Sequence, residues 1–271
     1  MNARQASRAR VSAPSLARTQ SAPPAHLSKD RPQKTAMIVA QRIVSEITAD
    51  GLGPGSMLPS ERVMLEEYSV GRGTLREALR FLEFQGVVAM KPGPGGGPVV
   101  RQPDASHLGN TIVLLLQFSA APFRTIAEAR VALEPMIAYL AAQHITDEAL
   151  EQLARSVENM QANLENRTVF LEENERFHDV IAWSSNNALF GYLVDSMLGI
   201  LDGTVLGIDY PPHRRKAIVV AHQQILGTLQ ARDPEAAQES MRSHIQAYVN
   251  YAEKKYPDIL DQTISWDQIS L

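Results

Sequence analysis

The sequence predicts a mainly α-helical chain in two parts: three short helices closed by a β-hairpin, then an antiparallel bundle of about seven helices. Two observations support this. Apolar residues recur at helical spacing through most of the 271 residues, and the clearest break in that period is a glycine-rich stretch between residues 87 and 101. This length is sufficient for two domains of ordinary size.

Composition narrows the classes of protein that fit. The chain has no cysteine, so disulfides and thiolate metal sites are excluded, and any metal must bind nitrogen or oxygen ligands. We find no apolar run long enough to span a bilayer, and the polar N-terminus lacks the apolar segment of a secretory signal. A cytoplasmic protein without a membrane partner is therefore expected.

Charge is distributed unevenly along the chain. Residues 1–103 carry 14 Lys and Arg against 8 Asp and Glu, whereas residues 104–271 carry 12 against 22. A basic front half joined to an acidic back half indicates that only the front meets a polyanion, although a basic tail without a partner has the same composition. Residues 1–31, rich in Ala, Ser, Arg and Pro, are interpreted as a disordered basic tail.

The segment 32–103 predicts a DNA-binding domain. Helices are expected at about 34–49, 60–67 and 73–85, with Ser60 as an N-cap, followed by strands at 87–90 and 99–101 around a glycine-rich loop. This order is typical of a winged helix-turn-helix. The third helix buries one apolar stripe, and its other face carries arginines four residues apart. The candidate DNA-binding residues of the helices and the wing are Arg62, Arg72, Thr74, Arg76, Arg80, Lys91, Gly95 and Gly96.

The same pattern has a second interpretation. An ordinary solvated helix face would also carry arginines, with Glu77 and Glu83 as their ion-pair partners. Spacing alone does not separate this surface from one that binds DNA.

Residues 104–256 predict a helical effector-binding domain, with helices at about 105–119, 123–143, 146–165, 168–185, 188–207, 213–231 and 234–255. Residues 257–271 are expected to form a loosely ordered tail.

Several apolar stripes of this bundle are interrupted by polar groups. Asn174 and His178 lie four residues apart and point the same way, and His222 and His244 fall on inward faces of two other helices. A single buried histidine usually only forms a hydrogen bond in a core. Burying all four groups costs free energy unless they are satisfied together, and a divalent metal would satisfy them.

The first part resembles the GntR family of repressors. The resemblance is carried by Leu-Pro-Ser-Glu-Arg at 58–62, by Gly-Arg-Gly-Thr-Leu-Arg-Glu-Ala-Leu-Arg at 71–80, and by the glycine-rich wing. It implies that Arg62, Arg72 and Arg76 contact an operator and that the wing glycines enter the minor groove. Glycines at 71 and 73 depart from the family, which commonly has a hydroxyl residue at the first position and Thr or Pro at the second.

The second part resembles the FadR-type sensor domain called FCD. The resemblance is carried by Glu-Ala-Arg-Val-Ala-Leu-Glu-Pro at 128–135, Phe-His at 177–178, and the Asp-Pro, Met and His of 233–244. It implies a divalent metal held by Asn174, His178, His222 and His244, with zinc expected first and nickel, manganese or iron as alternatives. Asp is the commonest first ligand in the family, and a neutral Asn here implies weaker metal binding.

The chemistry of such a site indicates an anionic ligand. Four neutral ligands leave the charge of the ion uncancelled, and Arg130 on a neighbouring stripe adds a cation, unless it pairs with Glu134 four residues later. Trp183 and Tyr248 could line the remaining pocket or belong to the core.

The expected protein is therefore a homodimeric repressor, not an enzyme. An organic acid is expected to control its affinity for double-stranded operator DNA. The alternatives are a direct metal sensor and a hydrolase in which Glu175 serves as a general base.

Overall fold

The computed structural model describes residues 30–93, 95–201 and 210–268. The chain divides into two compact units: the first comprises residues up to Phe84 together with Met90–Val100, and the second comprises Gln85–Ala89 and the residues from Arg101 onward. The predicted N-terminal tail lies outside the described residues as far as position 29. Within the described ranges, no helix has the length and apolar character needed to cross a membrane.

The first unit, together with residues 85–89, has the predicted layout. Helices α1 (Asp30–Ala49), α2 (Glu61–Tyr68) and α3 (Arg72–Phe84) are followed by strands β1 (Val88–Lys91) and β2 (Gly97–Val100). Helix α3 packs on α1, because one of its faces is apolar at helical spacing. The buried residues of α3 are those that the sequence predicts: Leu75, Ala78, Leu79 and Leu82.

Two details of this unit differ from the prediction. Helix α1 begins at Asp30, four residues before the predicted start. Ser60 occupies the N-cap position of α2, but its side chain makes no capping hydrogen bond. Residues 55–58 extend the hairpin, since Met57 bridges Val99 in antiparallel fashion.

The second unit is a helical bundle, which confirms the predicted fold class. Side-chain caps define several helix starts: Thr146, Asn166 and Asp233 each accept a hydrogen bond from a backbone N–H of the helix that follows. The bundle helices are α4 (Ser106–Phe118), α5 (Arg124–His144), α6 (Asp147–Ala162), α7 (Arg167–Ser184), α8 (Ala188–Ile200), α9 (Pro212–Gln230), α10 (Pro234–Lys255) and the short α11 (Pro257–Leu260).

The end of the described chain is more ordered than expected. Leu260 and Ile264 are fully buried, and a 3₁₀ helix follows at Trp266–Gln268. Backbone hydrogen bonds also tie the segment to the start of α5, where the Phe123 N–H donates to the Gln262 carbonyl at 3.1 Å. The expected looseness is therefore wrong for residues 257–268, since their apolar side chains complete the bundle core. The predicted extension of α8 to residue 207 falls partly on 202–209, outside the described residues.

Candidate functional site

The exposed face of α3 carries three of the predicted DNA-binding residues. Arg72, Arg76 and Arg80 are exposed, and Thr74 at the start of the helix is half-buried. These arginines are spaced by four residues, so they form a ridge along one side of the helix. An α-helix of this kind fits the major groove of B-DNA, where arginine can pair with guanine.

The acidic partners of the arginines come mainly from α2. Arg62 pairs with Glu66 at 3.0 Å, and Arg76 reaches Glu61 at 3.4 Å. Glu83, expected as a partner on the solvated-face interpretation, instead accepts a hydrogen bond from the Met90 N–H at 3.3 Å. Exposed ion pairs of this kind contribute little stability, so a phosphate group can displace the carboxylates at small cost.

The wing needs glycine for geometric reasons. Gly95 has φ +75°, a left-handed conformation that favours glycine. Gly96 donates its N–H to the Gly93 carbonyl at 2.9 Å, and a Cβ there would lie 2.1 Å from the Lys91 carbonyl oxygen. Lys91 itself is exposed at the end of β1. The turn therefore presents a bare backbone and one cation side by side.

Three histidines converge inside the bundle. His178 of α7, His222 of α9 and His244 of α10 are all buried, and one nitrogen from each lies within 4.8 Å of the others. The His244 Nε2 atom is 3.2 Å from the Nε2 atoms of both other histidines. Two nitrogens bound to one ion at about 2.0–2.1 Å would be roughly 2.8–3.4 Å apart, from octahedral to tetrahedral geometry. The observed spacing therefore fits a shared divalent ion.

The protonation states of the cluster also suit a metal. Burial, reinforced by the neighbouring imidazoles and Arg130, lowers the pKa of His222 well below its usual value. Burial and His178 likewise lower the pKa of His244. Neutral imidazole is the form that binds metal. The His222 ring also stacks on Phe177, with 4.0 Å between ring centroids, which fixes its orientation.

Glu134 of α5 orients the first of these ligands. Its carboxylate lies 2.6 Å from the His178 Nδ1 atom and also pairs with the Arg130 guanidinium. Burial would raise the pKa of Glu134, but Arg130 and His178 outweigh that effect and hold it well below the usual range. A charged Glu134 keeps the proton of His178 on Nδ1, which leaves Nε2 free to bind an ion.

A cavity of about 280 Å³ adjoins the histidines. His178, His244, Asn174 and Arg130 line it, so the structure brings most of the predicted sensing residues together. Arg130 is 6% exposed, and its guanidinium lies over the Tyr248 ring, 5.5 Å from the centroid. The sequence left open whether Arg130 pairs with Glu134 or faces a ligand site. In the structure it does both: it pairs with Glu134 and lines the cavity.

Comparison with known proteins assigns both units. A model described as bacterial regulatory proteins, gntR family, matches residues 35–96, and a model of the FCD domain matches residues 125–247. The uncharacterized HTH-type transcriptional regulator YcbG of Bacillus subtilis (strain 168) is 30% identical over 76% of this chain and 85% of its own length. The chain belongs to the GntR family.

Other relatives agree. The HTH-type transcriptional repressor NanR of Salmonella newport (strain SL254) is 28% identical over 79% of this chain and 83% of its own. A solved structure of a Streptococcus agalactiae GntR protein superposes with a TM-score of 0.63 at 24% identity, covering 79% of this chain and 99% of that one. This GntR-family chain is a transcription regulator with a DNA-binding domain and an FCD effector-binding domain, and it is not an enzyme.

Sequence reasoning about this GntR-family protein missed several cavity residues. The sequence analysis named Glu134 only as a possible partner of Arg130. Its position four residues after Arg130, on the same helix face, was the signal that could have placed it at the cavity as well. Tyr210 and Arg214 also line the cavity, without any periodic pattern that marks them. Glu175, named from the sequence as the general base of the hydrolase alternative, lines the cavity from an exposed position.

The two aromatic residues named from the sequence fall in different places. Of the two positions that the sequence left open for Tyr248, the pocket and the core, the structure shows the first: Tyr248 lines the histidine cavity. Trp183 does not: it packs edge-on against Tyr192, lines a different cleft and is 43% exposed. Gly191 permits this arrangement, because a Cβ there would lie 2.6 Å from the Trp183 ring.

Proposed function

We propose that this regulator is a homodimeric repressor whose operator affinity is controlled by a small carboxylate bound beside a metal ion in the FCD domain. The observation that carries the proposal is the convergence of three buried imidazoles, two of which, those of His178 and His244, line a cavity that also contains Arg130. The relative NanR is named a repressor, and repression is carried over from it as part of the proposal.

The metal would be held by side chains from three helices: Asn174 and His178 of α7, His222 of α9 and His244 of α10. Zinc is the first candidate, because imidazole suits it and an amide oxygen can complete the set, with nickel, manganese or iron as alternatives. The ion supplies a positive charge that the neutral ligands do not cancel. A carboxylate is the natural ligand for that charge.

Arg130 would hold the same carboxylate from the side. Glu134 already neutralises the Arg130 charge and accepts from its Nε, so the contribution of Arg130 is directional rather than a second full charge. A guanidinium has five N–H donors, and those not used by Glu134 can reach a carboxylate in the cavity. The Arg130–Glu134–His178 arrangement would also limit the positions that this carboxylate could take.

Operator binding would use the exposed ridge of α3 and the wing. The α3 side chains would read the base sequence of the operator in the major groove. The candidates on α2 and in the wing would contact phosphates or approach the minor groove. The residues proposed to contact DNA are Arg62, Arg72, Thr74, Arg76, Arg80, Lys91, Gly95 and Gly96.

The test begins with an operator selected from a random duplex pool by the full-length protein. Fluorescence anisotropy then measures operator affinity after chelation, with zinc added, and with zinc plus each member of a panel of small carboxylic acids. The expected result is that an acid weakens operator binding only when zinc is present. Weakening by zinc alone would identify a direct metal sensor, and no response to either would overturn the proposal.

The oligomeric state needs its own measurement. A homodimer placing two winged domains on a duplex predicts a near-palindromic selected site. Analytical ultracentrifugation should then show two chains per duplex. One chain per duplex would contradict the dimer.

A further inference from the structure

A second arginine lines the histidine cavity from the start of α9. Arg214 donates from Nη2 to the carbonyl oxygen of Ala247 on α10, and its guanidinium lies 4.8 Å from the centroid of the Tyr251 ring. Its Nε atom is fully buried and has no hydrogen-bond acceptor. A buried N–H without an acceptor costs free energy, so this donor is placed for a partner that the described residues do not supply.

Arg214 also differs from Arg130 in its charge pairing. Arg130 is paired with Glu134, whereas no carboxylate within residues 30–93, 95–201 and 210–268 forms an ion pair with Arg214. Glu172 and Glu175 line the same cavity, but both are exposed, where water screens their charge. Within the described part of the chain, Arg214 is therefore a half-buried guanidinium without an ion-pair partner at one side of the cavity.

The two arginines mark two separate positions along α10. Arg130 lies over Tyr248 and Arg214 over Tyr251, three residues further along the same helix. Three residues of an α-helix correspond to about 4.5 Å of rise. Burial raises the pKa of the Tyr210 phenol, and both arginines oppose that rise, which places Tyr210 within electrostatic range of each.

We infer that the effector carries two acidic groups: one carboxylate at the histidine cluster and Arg130, and a second acidic group at Arg214. This inference rests on the proposed function and names the ligand class of the same cavity. With a divalent ion held by neutral ligands and Arg130 neutralised by Glu134, the positive charge left on the ion and on the described lining residues sits at two places, the ion and Arg214. A dianion matches both places, and a monocarboxylate matches one.

The size of the cavity limits the length of this dianion. The cavity volume is about 280 Å³. Pockets for drug-sized ligands have volumes of about 300–1,000 Å³, so this cavity suits a smaller molecule. The residues that mark the two positions, Tyr248 and Tyr251, are about 4.5 Å apart along the axis of α10. A linear dicarboxylate of about four to six carbon atoms spans this distance and fits the volume.

The test compares dianions with monoanions of equal chain length. Isothermal titration calorimetry of the zinc-loaded full chain measures the affinities of succinate against butyrate and of glutarate against valerate. The same pairs are then measured with Arg214→Gln, which removes the charge, and with Arg214→Lys, which keeps it. Arg242→Gln is the matched control, since Arg242 is an exposed arginine of α10 that pairs with Glu239.

The expected result is that at least one dicarboxylate binds about tenfold or more tightly than its monocarboxylate, as an added charge-assisted contact provides. Arg214→Gln should reduce that ratio to about one while changing monocarboxylate affinity by less than about threefold. Arg214→Lys should keep part of the ratio, and Arg242→Gln should keep all of it. Retention of the ratio in Arg214→Gln would overturn the inference.

Failure of this inference is distinct from failure of the proposed function. Equal affinities for dicarboxylates and monocarboxylates, with both lost on chelation, would contradict the inference of a dianionic effector. The same result would still support a carboxylate bound beside the metal. The absence of binding by every acid, with zinc shown to be loaded, would overturn both.

Discussion

The two sites of this regulator use arginine in opposite surroundings. On α3 the arginines are exposed, and the ion pairs formed by Arg76 and by Arg62 of α2 leave the pairing groups largely solvated. In the bundle, Arg130 is buried and held by Glu134, which also fixes His178. Exposed arginines can exchange partners at little cost, as contact with DNA requires. Buried arginines shape a cavity, and their charges must be matched there.

The largest expected effect is at the histidines. His222→Ala removes one of the three converging imidazoles, and zinc affinity should fall by at least about 100-fold, because loss of a group that only orients a ligand already costs about 10–100-fold. Zinc content after dialysis and competition with a chromogenic chelator measure this. Gln223→Ala is the control, since Gln223 is exposed on the same helix. Unchanged zinc content in His222→Ala would remove His222 from the ligand set.

The next effect is on the DNA face. Arg72→Ala should weaken binding to the selected operator by about 10–100-fold, the range for loss of one good base contact or its equivalent. The salt dependence should also become shallower if Arg72 contacts phosphate. Arg155→Ala of α6 removes a similarly exposed arginine and should leave anisotropy titrations unchanged. Full operator affinity in Arg72→Ala would contradict the assigned recognition helix.

A smaller effect on zinc affinity is expected at Glu134, and its size shows whether Glu134 only orients His178 or binds the metal itself. Glu134→Gln keeps the shape of the side chain but removes the charge that holds the His178 proton on Nδ1. Zinc affinity should fall by about tenfold rather than 100-fold. The same chelator competition detects it, with circular dichroism as the check on folding. A loss as large as that of His222→Ala would mean that Glu134 is itself a ligand.

The smallest effect concerns the wing. Gly96→Ala places a methyl group against the Lys91 carbonyl, so the turn must shift, and we expect operator affinity to fall by about threefold and the free energy of unfolding by about 1 kcal/mol. Gly53→Ala is the matched control, because a Cβ at Gly53 meets nothing within 4 Å. Equal effects in the two variants, by anisotropy and urea denaturation, would show that the wing tolerates a side chain.

The same contrast explains what the sequence could predict. Helical spacing predicted the α3 core and the α3 arginine ridge, because both follow from one helix alone. It also placed the histidines on inward faces, but their meeting at 3.2 Å depends on the packing of three helices. Arg214 had no periodic signal, since its long side chain reaches from α9 to Ala247 on another helix. The buried Leu260 and Ile264 were missed because their segment is too short for a periodic pattern.

The central claim is that effector binding in the cavity and operator binding at the DNA face are thermodynamically coupled. Thermodynamic linkage requires that an effector which weakens operator binding be weakened by the operator by the same factor. Titrating the zinc-loaded protein with the tightest-binding acid, with and without saturating operator, measures this directly. The account predicts that the operator raises the dissociation constant of the acid by about fivefold or more. Equal dissociation constants in the two titrations would contradict it.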